Sequence, residues 1–205
     1  GIILSAGEST RMGAPKALLD LGGRSFLQRV VAAMIEGGVL RVTVVVGGRH
    51  EARLREFLAA EEATSTTPIR IVTNPAPEGG PISSLRCGLA HSVGESAIVH
   101  PVDIPAVTAA DIAALIKTAN EDRSNAHAVI TSVGRRRAHP VWLSQQGCKG
   151  VLALPATATL RDYLHQADVR IQYVERSNEL LRQDVDTPAA YADFTDLWRR
   201  RNDAK

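Results

Sequence analysis

The stretch that decides the fold is "ILSAGESTRMGAPK", residues 3–16. Here an apolar run passes directly into a loop with two glycines, small hydroxyl residues, Arg11 and Lys16. A strand followed by such a loop favours anion binding, because small residues let backbone N–H groups turn towards phosphate oxygens. Arg11 can hold a phosphate with two hydrogen bonds, and Lys16 adds a mobile point charge. From this spacing alone, a surface loop with incidental charges remains the alternative.

The loop matches neither of two well-known glycine-rich patterns. The dinucleotide fingerprint G-x-G-x-x-G is absent, because Gly7 is followed by Glu8 and Ser9. The Walker pattern G-x-x-x-x-G-K-[ST] is also missed, because five residues separate Gly7 from Gly13 and Lys16 comes three positions later. The stretch therefore predicts a phosphate loop of a different kind.

Beyond this loop, segments of strand character alternate with segments of helical period. Strands are predicted at residues 1–5, 41–47, 69–72, 96–102, 127–133, 139–144 and 169–174. Helices are predicted between them, including 25–38, 81–93 and a segment over 159–167. This alternation predicts an α/β fold of Rossmann-like type: an α/β/α sandwich with a mostly parallel central sheet and helices on both faces. A length of 205 residues suits a single domain over 1–205.

Composition narrows the class of protein. The net charge is +2, which is too small to indicate a nucleic-acid partner. The two cysteines, Cys87 and Cys148, have no pairing pattern, which favours a reducing compartment. No apolar stretch reaches transmembrane length, and no segment resembles a secretion leader. We therefore expect a cytoplasmic protein without a membrane partner, acting as a monomer or weak homodimer.

Carboxylates follow two of the predicted segments. Asp103 ends the strand-like run "AIVHPVD", which puts it at the same edge of the sheet as the opening loop. Because Mg²⁺ prefers one or two carboxylates together with phosphate oxygens, Asp103 is a candidate metal ligand; a turn cap is the alternative. Asp184 and Asp186 alternate along "DVDTP", so one of them would face the site. Capping of the last helix is the competing interpretation there.

Five motifs together resemble a known family. The opening stretch is similar to the signature LxxGxxxRMGxxK of Rossmann-like nucleotidyltransferases, and most of all to the MobA-like molybdenum cofactor cytidylyl- and guanylyltransferases. The resemblance continues, in the same order, through the segments "NPAPEGGPISSLRCGL", "VDIP", "AHPVWL" and "DVDTPAAY".

The resemblance implies a set of site residues. Arg11, Lys16 and Asp103 would be catalytic, Asp103 and Asp186 would bind Mg²⁺, and His139 would lie on the acceptor side. The residues implied in nucleotide binding are Leu4, Ala6, Gly7, Gly13, Lys16, Asn74, Gly80 and Ser84.

The implied reaction is transfer of CMP or GMP from the nucleoside triphosphate to a phosphorylated acceptor, with release of pyrophosphate. Molybdopterin is the first acceptor to consider, but the Gly-Asp-x-Gly motif of such enzymes is missing, and "LPATATLRDYL" stands in its place. A sugar phosphate or another small phosphate is therefore an alternative acceptor. Ala6, where guanylyl members tend to carry glycine, slightly favours CTP over GTP. A nucleotide-binding protein without catalysis is the alternative of another class.

Overall fold

The computed structural model describes residues 1–92 and 95–203. Its strands are β1 (Ile2–Leu4), β2 (Val42–Val46), β3 (Ile69–Thr73), β4 (Ala97–Pro101), β5 (Ala128–Val133), β6 (Arg136–Leu143) and β7 (Ile171–Glu175). Its α-helices are α1 (Phe26–Glu36), α2 (Glu51–Thr64), α3 (Gly80–Ala90), α4 (Ala109–Glu121), α5 (Gln145–Ala153), α6 (Leu160–Tyr163) and α7 (Pro188–Asp203). Residue 93, the last of the helix predicted over 81–93, and residues 204–205 lie outside the described residues.

All seven strands join one sheet in the order β3-β2-β1-β4-β6-β5-β7. β6 runs antiparallel to both of its neighbours, and the other pairs are parallel. The predicted α/β class and the mostly parallel sheet are thereby confirmed. The strand order reverses at β1 and β4, and in sheets of this kind the crevice at such a reversal is where ligands bind.

Helices cover both faces of the sheet, as the α/β/α prediction requires. One apolar cluster packs α1, α2, α4 and α7 against residues such as Val44 and Val129. The second cluster packs α3, α5 and α6 against the adjacent strand residues, such as Val45 and Ile130, which face the other side of the sheet. Because successive residues of a strand point to opposite faces, strands buried on both sides are mostly apolar, and β2 is buried along its whole length with Thr43 as its one polar residue.

Several local signals act as the sequence predicts. Ser25 and Gln28 form a reciprocal capping box at the start of α1, and Thr108 caps α4. The helix predicted over 159–167 is shorter than expected: α6 ends at Tyr163, and turns of i→i+3 type follow, with His165 N bonded to Asp162 O. Both cysteines are free. No helix in the described part of the chain has the length and apolar character needed to cross a membrane.

The sequence of the run "GRRR" (134–137) indicates a soft loop, but in the structure this run is a tight hairpin. Gly134 and Arg135 both have positive φ, of 57° and 62°, and they connect β5 directly to β6. Two central residues with positive φ match the twist of the flanking strands. Arg136 and Arg137 therefore belong to β6 and not to a loop.

Candidate active site

A cavity of about 330 Å³ lies at the carboxyl edge of β1 and β4, where the strand order reverses. Its walls come from the loop after β1, the start of α3, the residues after β4 and the segment before α7. Among its lining residues are Leu4, Ala6, Gly7, Arg11, Lys16, Gly80, Ser84, Asp103 and Asp186. Most of the side chains that the sequence singles out thus meet in one place, because parallel strands end at the same edge of the sheet.

The loop after β1 is shaped by its small residues. Ser9 has φ of 49°, and its Oγ accepts a hydrogen bond from Lys16 N at 3.2 Å, which ties the two ends of the loop together. Gly13 has φ of 70°, a conformation that L side chains rarely adopt, and it does not line the cavity. At Gly7 a Cβ would meet no atom within 4 Å, so this position borders open space. Gly7 therefore leaves room for a ligand, whereas Gly13 serves the turn.

Lys16 is the centre of the charged cluster. Its ammonium donates to Asp103 Oδ2 at 3.3 Å and to Asp186 Oδ1, and Arg11 Nη2 lies 2.6 Å from Asp186 Oδ2. The Lys16 side chain is only 14% exposed, while Asp103 and Asp186 are 27% and 29% exposed. Two cations thus face two carboxylates in a partly buried site, and their charges balance.

The segment that brings Asp186 to the cavity is held by its backbone. Val185 is fully buried, and its N–H donates to the carbonyl oxygen of Asp103 at 2.9 Å. Of the two carboxylates left open by the sequence, Asp186 lines the cavity and Asp184 does not. Helix capping falls to Thr187, whose Oγ1 accepts from Ala190 N at 3.2 Å.

The two carboxylates differ in proton affinity. Burial raises the pKa of Asp103, and the charge and hydrogen bond of Lys16 oppose this effect. The hydrogen bond from Lys16 holds the pKa of Asp186 below its ordinary value, with Arg11 adding to the effect. Lys16 thus stabilises the charged form of both groups.

Asn74 lies behind the wall of the cavity. It is 3% exposed and does not line the cavity. Its Nδ2 donates to Ser83 Oγ and Ser84 Oγ at 2.7 and 3.0 Å, and its Oδ1 accepts from Ala76 N at 3.0 Å. All of its amide atoms are therefore engaged within the protein, where they fix the loop between β3 and α3. The part of Asn74 in nucleotide binding that the resemblance implies stays a prediction, and in this geometry its amide positions Ser83 and Ser84.

His139 is also absent from this cavity. It belongs to β6 and lines a second cavity on the same edge of the sheet. Its ring packs edge-on against that of His100, with centroids 6.1 Å apart. His100 is fully buried, and its Nε2 lies 2.8 Å from the carbonyl oxygen of Ile104.

The sequence reading missed the contribution of the segment after β2. His50 and Leu54 line the cavity, and Arg49 donates through Nε and Nη2 to the carbonyl oxygen of Glu8, at 3.2 and 2.9 Å. This contact braces the loop after β1. The signal was present in "VVVGGRH", because β2 is parallel to β1 and ends at the same edge.

Comparison with known proteins decides the family. The model of the MobA-like NTP transferase domain matches residues 1–171. The chain belongs to this family. Members are nucleotidyltransferases, so the predicted enzyme class is confirmed at that level.

Relatives within and around the MobA-like family carry different activities. Nicotine blue oxidoreductase of Paenarthrobacter nicotinovorans is 29% identical over 194 residues, which cover 91% of each chain. A probable molybdenum cofactor guanylyltransferase of Pelotomaculum thermopropionicum is 31% identical over 105 residues, covering 51% of this chain and 45% of the relative.

Among solved structures, Rv0371c of Mycobacterium tuberculosis H37Rv has a TM-score of 0.77 at 21% identity, covering 96% of this chain and 97% of its own. A complex of Rv0371c with manganese has a TM-score of 0.72 at 19% identity, covering 95% and 96%. These likenesses show the fold of the chain.

Proposed function

We propose that the protein transfers CMP or GMP from a nucleoside triphosphate to a phosphorylated acceptor and releases pyrophosphate. The observation that carries this proposal is the convergence of Lys16, Arg11, Asp103 and Asp186 beside the loop after β1. A site that only binds a nucleotide needs cations for the phosphates. The two carboxylates beside those cations favour a site that also handles a metal ion.

The triphosphate fits the loop side of the cavity. Gly7 borders open space, so backbone N–H groups can approach phosphate oxygens closely. Lys16 and Arg11 are now paired with carboxylates, and a triphosphate would compete for them with a larger negative charge. Both cations can thus bind the substrate without any change in the fold.

The donor set also suits a divalent cation. Asp103 and Asp186 both accept from Lys16 Nζ, so oxygens of both carboxylates lie within hydrogen-bond reach of one point. Two carboxylates completed by phosphate oxygens and water are a typical Mg²⁺ environment, and no group of three or more His, Cys, Asp or Glu in the described residues offers an all-protein cage. Asp103 and Asp186 would hold Mg²⁺, which would neutralise charge on the triphosphate. The manganese complex of Rv0371c is in keeping with this assignment.

The chemistry demands little from the protein beyond position and charge. A phosphate oxygen of the acceptor attacks the α-phosphorus, the bond from that phosphorus to the bridging oxygen breaks, and pyrophosphate leaves with the electron pair. An acceptor phosphate is already ionised at neutral pH, so no strong base is required. Lys16 and Arg11 would stabilise the charge that grows on the leaving group.

Two finer proposals concern the acceptor and the nucleobase of the triphosphate. A molybdopterin-type phosphate is the first acceptor to test, because the chain belongs to the MobA-like family, and a sugar phosphate is the second. CTP is proposed ahead of GTP, because Ala6 lines the cavity at a position where guanylyl members tend to carry glycine. We further propose one domain over residues 1–205, a monomer or weak homodimer, and the cytoplasm as its location.

A second candidate function is reduction of a small molecule by a nicotinamide cofactor. One observation favours it: the oxidoreductase relative aligns over 91% of both chains. Against it stand the absence of G-x-G-x-x-G after β1 and of an acidic residue at the end of β2, where Gly47 and Gly48 lie.

A thermal-shift screen separates these functions. The protein is heated with CTP, GTP, ATP or UTP, with and without Mg²⁺, and with NADH or NADPH. A ligand that binds only the folded state raises the midpoint. We expect a Mg²⁺-dependent shift with CTP or GTP, followed by pyrophosphate release when a phosphorylated acceptor is added. A shift with NADH or NADPH and with no triphosphate would instead establish the second candidate.

A further inference from the structure

A second cavity of about 430 Å³ lies between β5, β6 and α6. Its apolar wall is formed by Ile130, Val141, Leu160 and Leu164. Its polar groups are Arg137, Arg161, His139 and His165, and no acidic residue lines it. An apolar wall with two guanidinium groups is suited to a ligand that has both an apolar body and an anionic group.

The positive charge of this cavity is not neutralised by ion pairs. Within the described ranges, neither Arg137 nor Arg161 lies in a salt bridge. Arg137 is held by neutral groups: its Nε donates to Tyr173 Oη at 3.1 Å, and its Nη1 lies 3.4 Å from His165 Nε2. Asp162, next to Arg161 in the chain, accepts at Oδ2 from Thr159 N and Oγ1 at 2.7 and 2.8 Å. These bonds hold the pKa of Asp162 below its ordinary value, and the charges of His165 and Arg161 add to the effect.

The position of Arg137 is defined by its neighbours. Its guanidinium lies 5.8 Å from the centre of the Tyr173 ring, which is half exposed on the edge strand β7. With Nε on the Tyr173 hydroxyl, the planar group has further N–H donors for a bound anion. The contact also holds a flat aromatic surface close to that anion.

The second cavity opens on the same edge of the sheet as the active site. β6 pairs antiparallel with β4 through Val99 and Val141, so the first residues of β6 lie towards the carboxyl end of β4. Leu164, which lines the second cavity, packs in the same apolar cluster as Leu85 of α3. α3, which begins at the active-site wall, is tied to the end of α5 by a bond from Arg86 Nη1 to Leu154 O at 3.0 Å.

We infer that this second cavity binds the end of the acceptor that does not react, and that this end is an anionic group, a phosphate or carboxylate, carried on an apolar ring. Arg137 and Arg161 bind the anion, and the wall of Ile130, Val141 and Leu164 receives the ring. These residues then determine which acceptors are used. The inference rests on the proposed nucleotidyl transfer, because it assigns the second substrate of that reaction.

Phenyl phosphate is the probe; inorganic phosphate and phenol are its two parts, and benzoate is its carboxylate analogue. Each is titrated by calorimetry into the full chain saturated with CTP and Mg²⁺, so that the nucleotide cavity is filled. We expect phenyl phosphate and benzoate to bind, and inorganic phosphate and phenol to bind about tenfold more weakly or not at all. Replacing Arg137 or Arg161 by Gln should weaken the binding of phenyl phosphate about tenfold, because one charged hydrogen bond is lost. Arg199→Gln, at an exposed arginine of α7, should leave it unchanged.

Some results would overturn the inference. Unchanged binding of phenyl phosphate by Arg137→Gln and Arg161→Gln would place the anion elsewhere. If inorganic phosphate binds as tightly as phenyl phosphate, the apolar ring plays no part in binding. No binding of any probe to a protein that does bind CTP with Mg²⁺ would overturn the inference and leave the proposed function standing. If no triphosphate binds, the proposed function fails. The same titrations, repeated without nucleotide, then still decide whether Arg137 and Arg161 bind an anion.

Discussion

Lys16 Nζ donates to Asp103 Oδ2 across 3.3 Å, and this contact joins the loop after β1 to the segment after β4. The same ammonium also bonds Asp186, so residues from three distant parts of the chain share one cation. Burial alone would favour the neutral form of Asp103, and Lys16 opposes this. The balance between these effects decides how the site responds to substitution.

Replacing Lys16 by Met should weaken triphosphate binding about tenfold to a hundredfold, the equivalent of one hydrogen bond between charged groups, worth about 1.5–3 kcal/mol. It should also raise the pKa of Asp103 further, because the opposing charge is gone. Calorimetric titration with CTP and Mg²⁺ measures the loss, and Lys117→Met, on an exposed lysine of α4, is the matched control. Equal affinities for the two variants would remove Lys16 from the phosphate site.

Asp103→Asn should strongly slow pyrophosphate release while leaving a folded protein. The amide keeps the shape of the side chain but loses the negative charge, and we expect a rate lower by on the order of a hundredfold to a thousandfold, as for other lost electrostatic contacts in active sites. A pyrophosphate assay at saturating Mg²⁺, with Asp184→Asn as control, measures this. Asp184 does not line the cavity, so its variant should keep most of the activity. Full activity in Asp103→Asn would refute the metal assignment.

Two glycines should respond to alanine in opposite ways. At Gly88 a Cβ would lie 2.6 Å from Ile2 Cγ2, so Gly88→Ala should destabilise the fold by about 1–3 kcal/mol, although alanine is the better helix former. At Gly7 a Cβ meets no atom within 4 Å, so Gly7→Ala should keep its stability and lose nucleotide affinity. Urea unfolding and CTP titration of both variants test this pair. A destabilised Gly7→Ala would mean that the loop is constrained more tightly than its open space indicates.

The sequence predicted which residues lie together in the candidate site better than it predicted the surroundings of that site. Strand ends are readable from sequence, so Lys16 and Asp103 could be placed on one edge before the fold was known. The choice between Asp184 and Asp186 could not be made, because it depends on the bond from Val185 N to the carbonyl oxygen of Asp103. The sequence likewise does not show that the amide of Asn74 is occupied by three hydrogen-bond partners within the protein.

The second cavity could not be predicted at all. Arg137 was read as part of a loop, because "GRRR" carries no strand signal, and only the pairing of β6 with β5 gives it a fixed position. The antiparallel pairing of β6 with β4 does not follow from the order of elements in the sequence, because α4 and β5 lie between the two strands in the chain. The contact between Arg137 and Tyr173 arises because β6 and β7 both pair with β5, one on each side.

The buried histidines should make the fold sensitive to acid. Burial, together with the neighbouring His139, lowers the pKa of His100 to about 3, and the charge of Asp111 opposes this effect. Burial also lowers the pKa of His139, to about 4. Both are then neutral in the folded state, while in the unfolded chain they gain protons below about pH 6.5. Their contribution to stability is therefore intact above pH 6.5 and is lost as the pH falls towards 4, by up to about 1.4 kcal/mol per pH unit for each histidine.

Urea unfolding at pH 7, 6, 5 and 4 tests this dependence. Replacing His139 by Gln removes one titrating group, so its free energy of unfolding should fall less steeply with pH than that of the parent, whatever the stability at pH 7. His91→Gln, at an exposed histidine of the α3 terminus, should keep the parent slope. If the slope of His139→Gln equals that of the parent, His139 does not enter the folded state neutral, and the acid sensitivity comes from other groups.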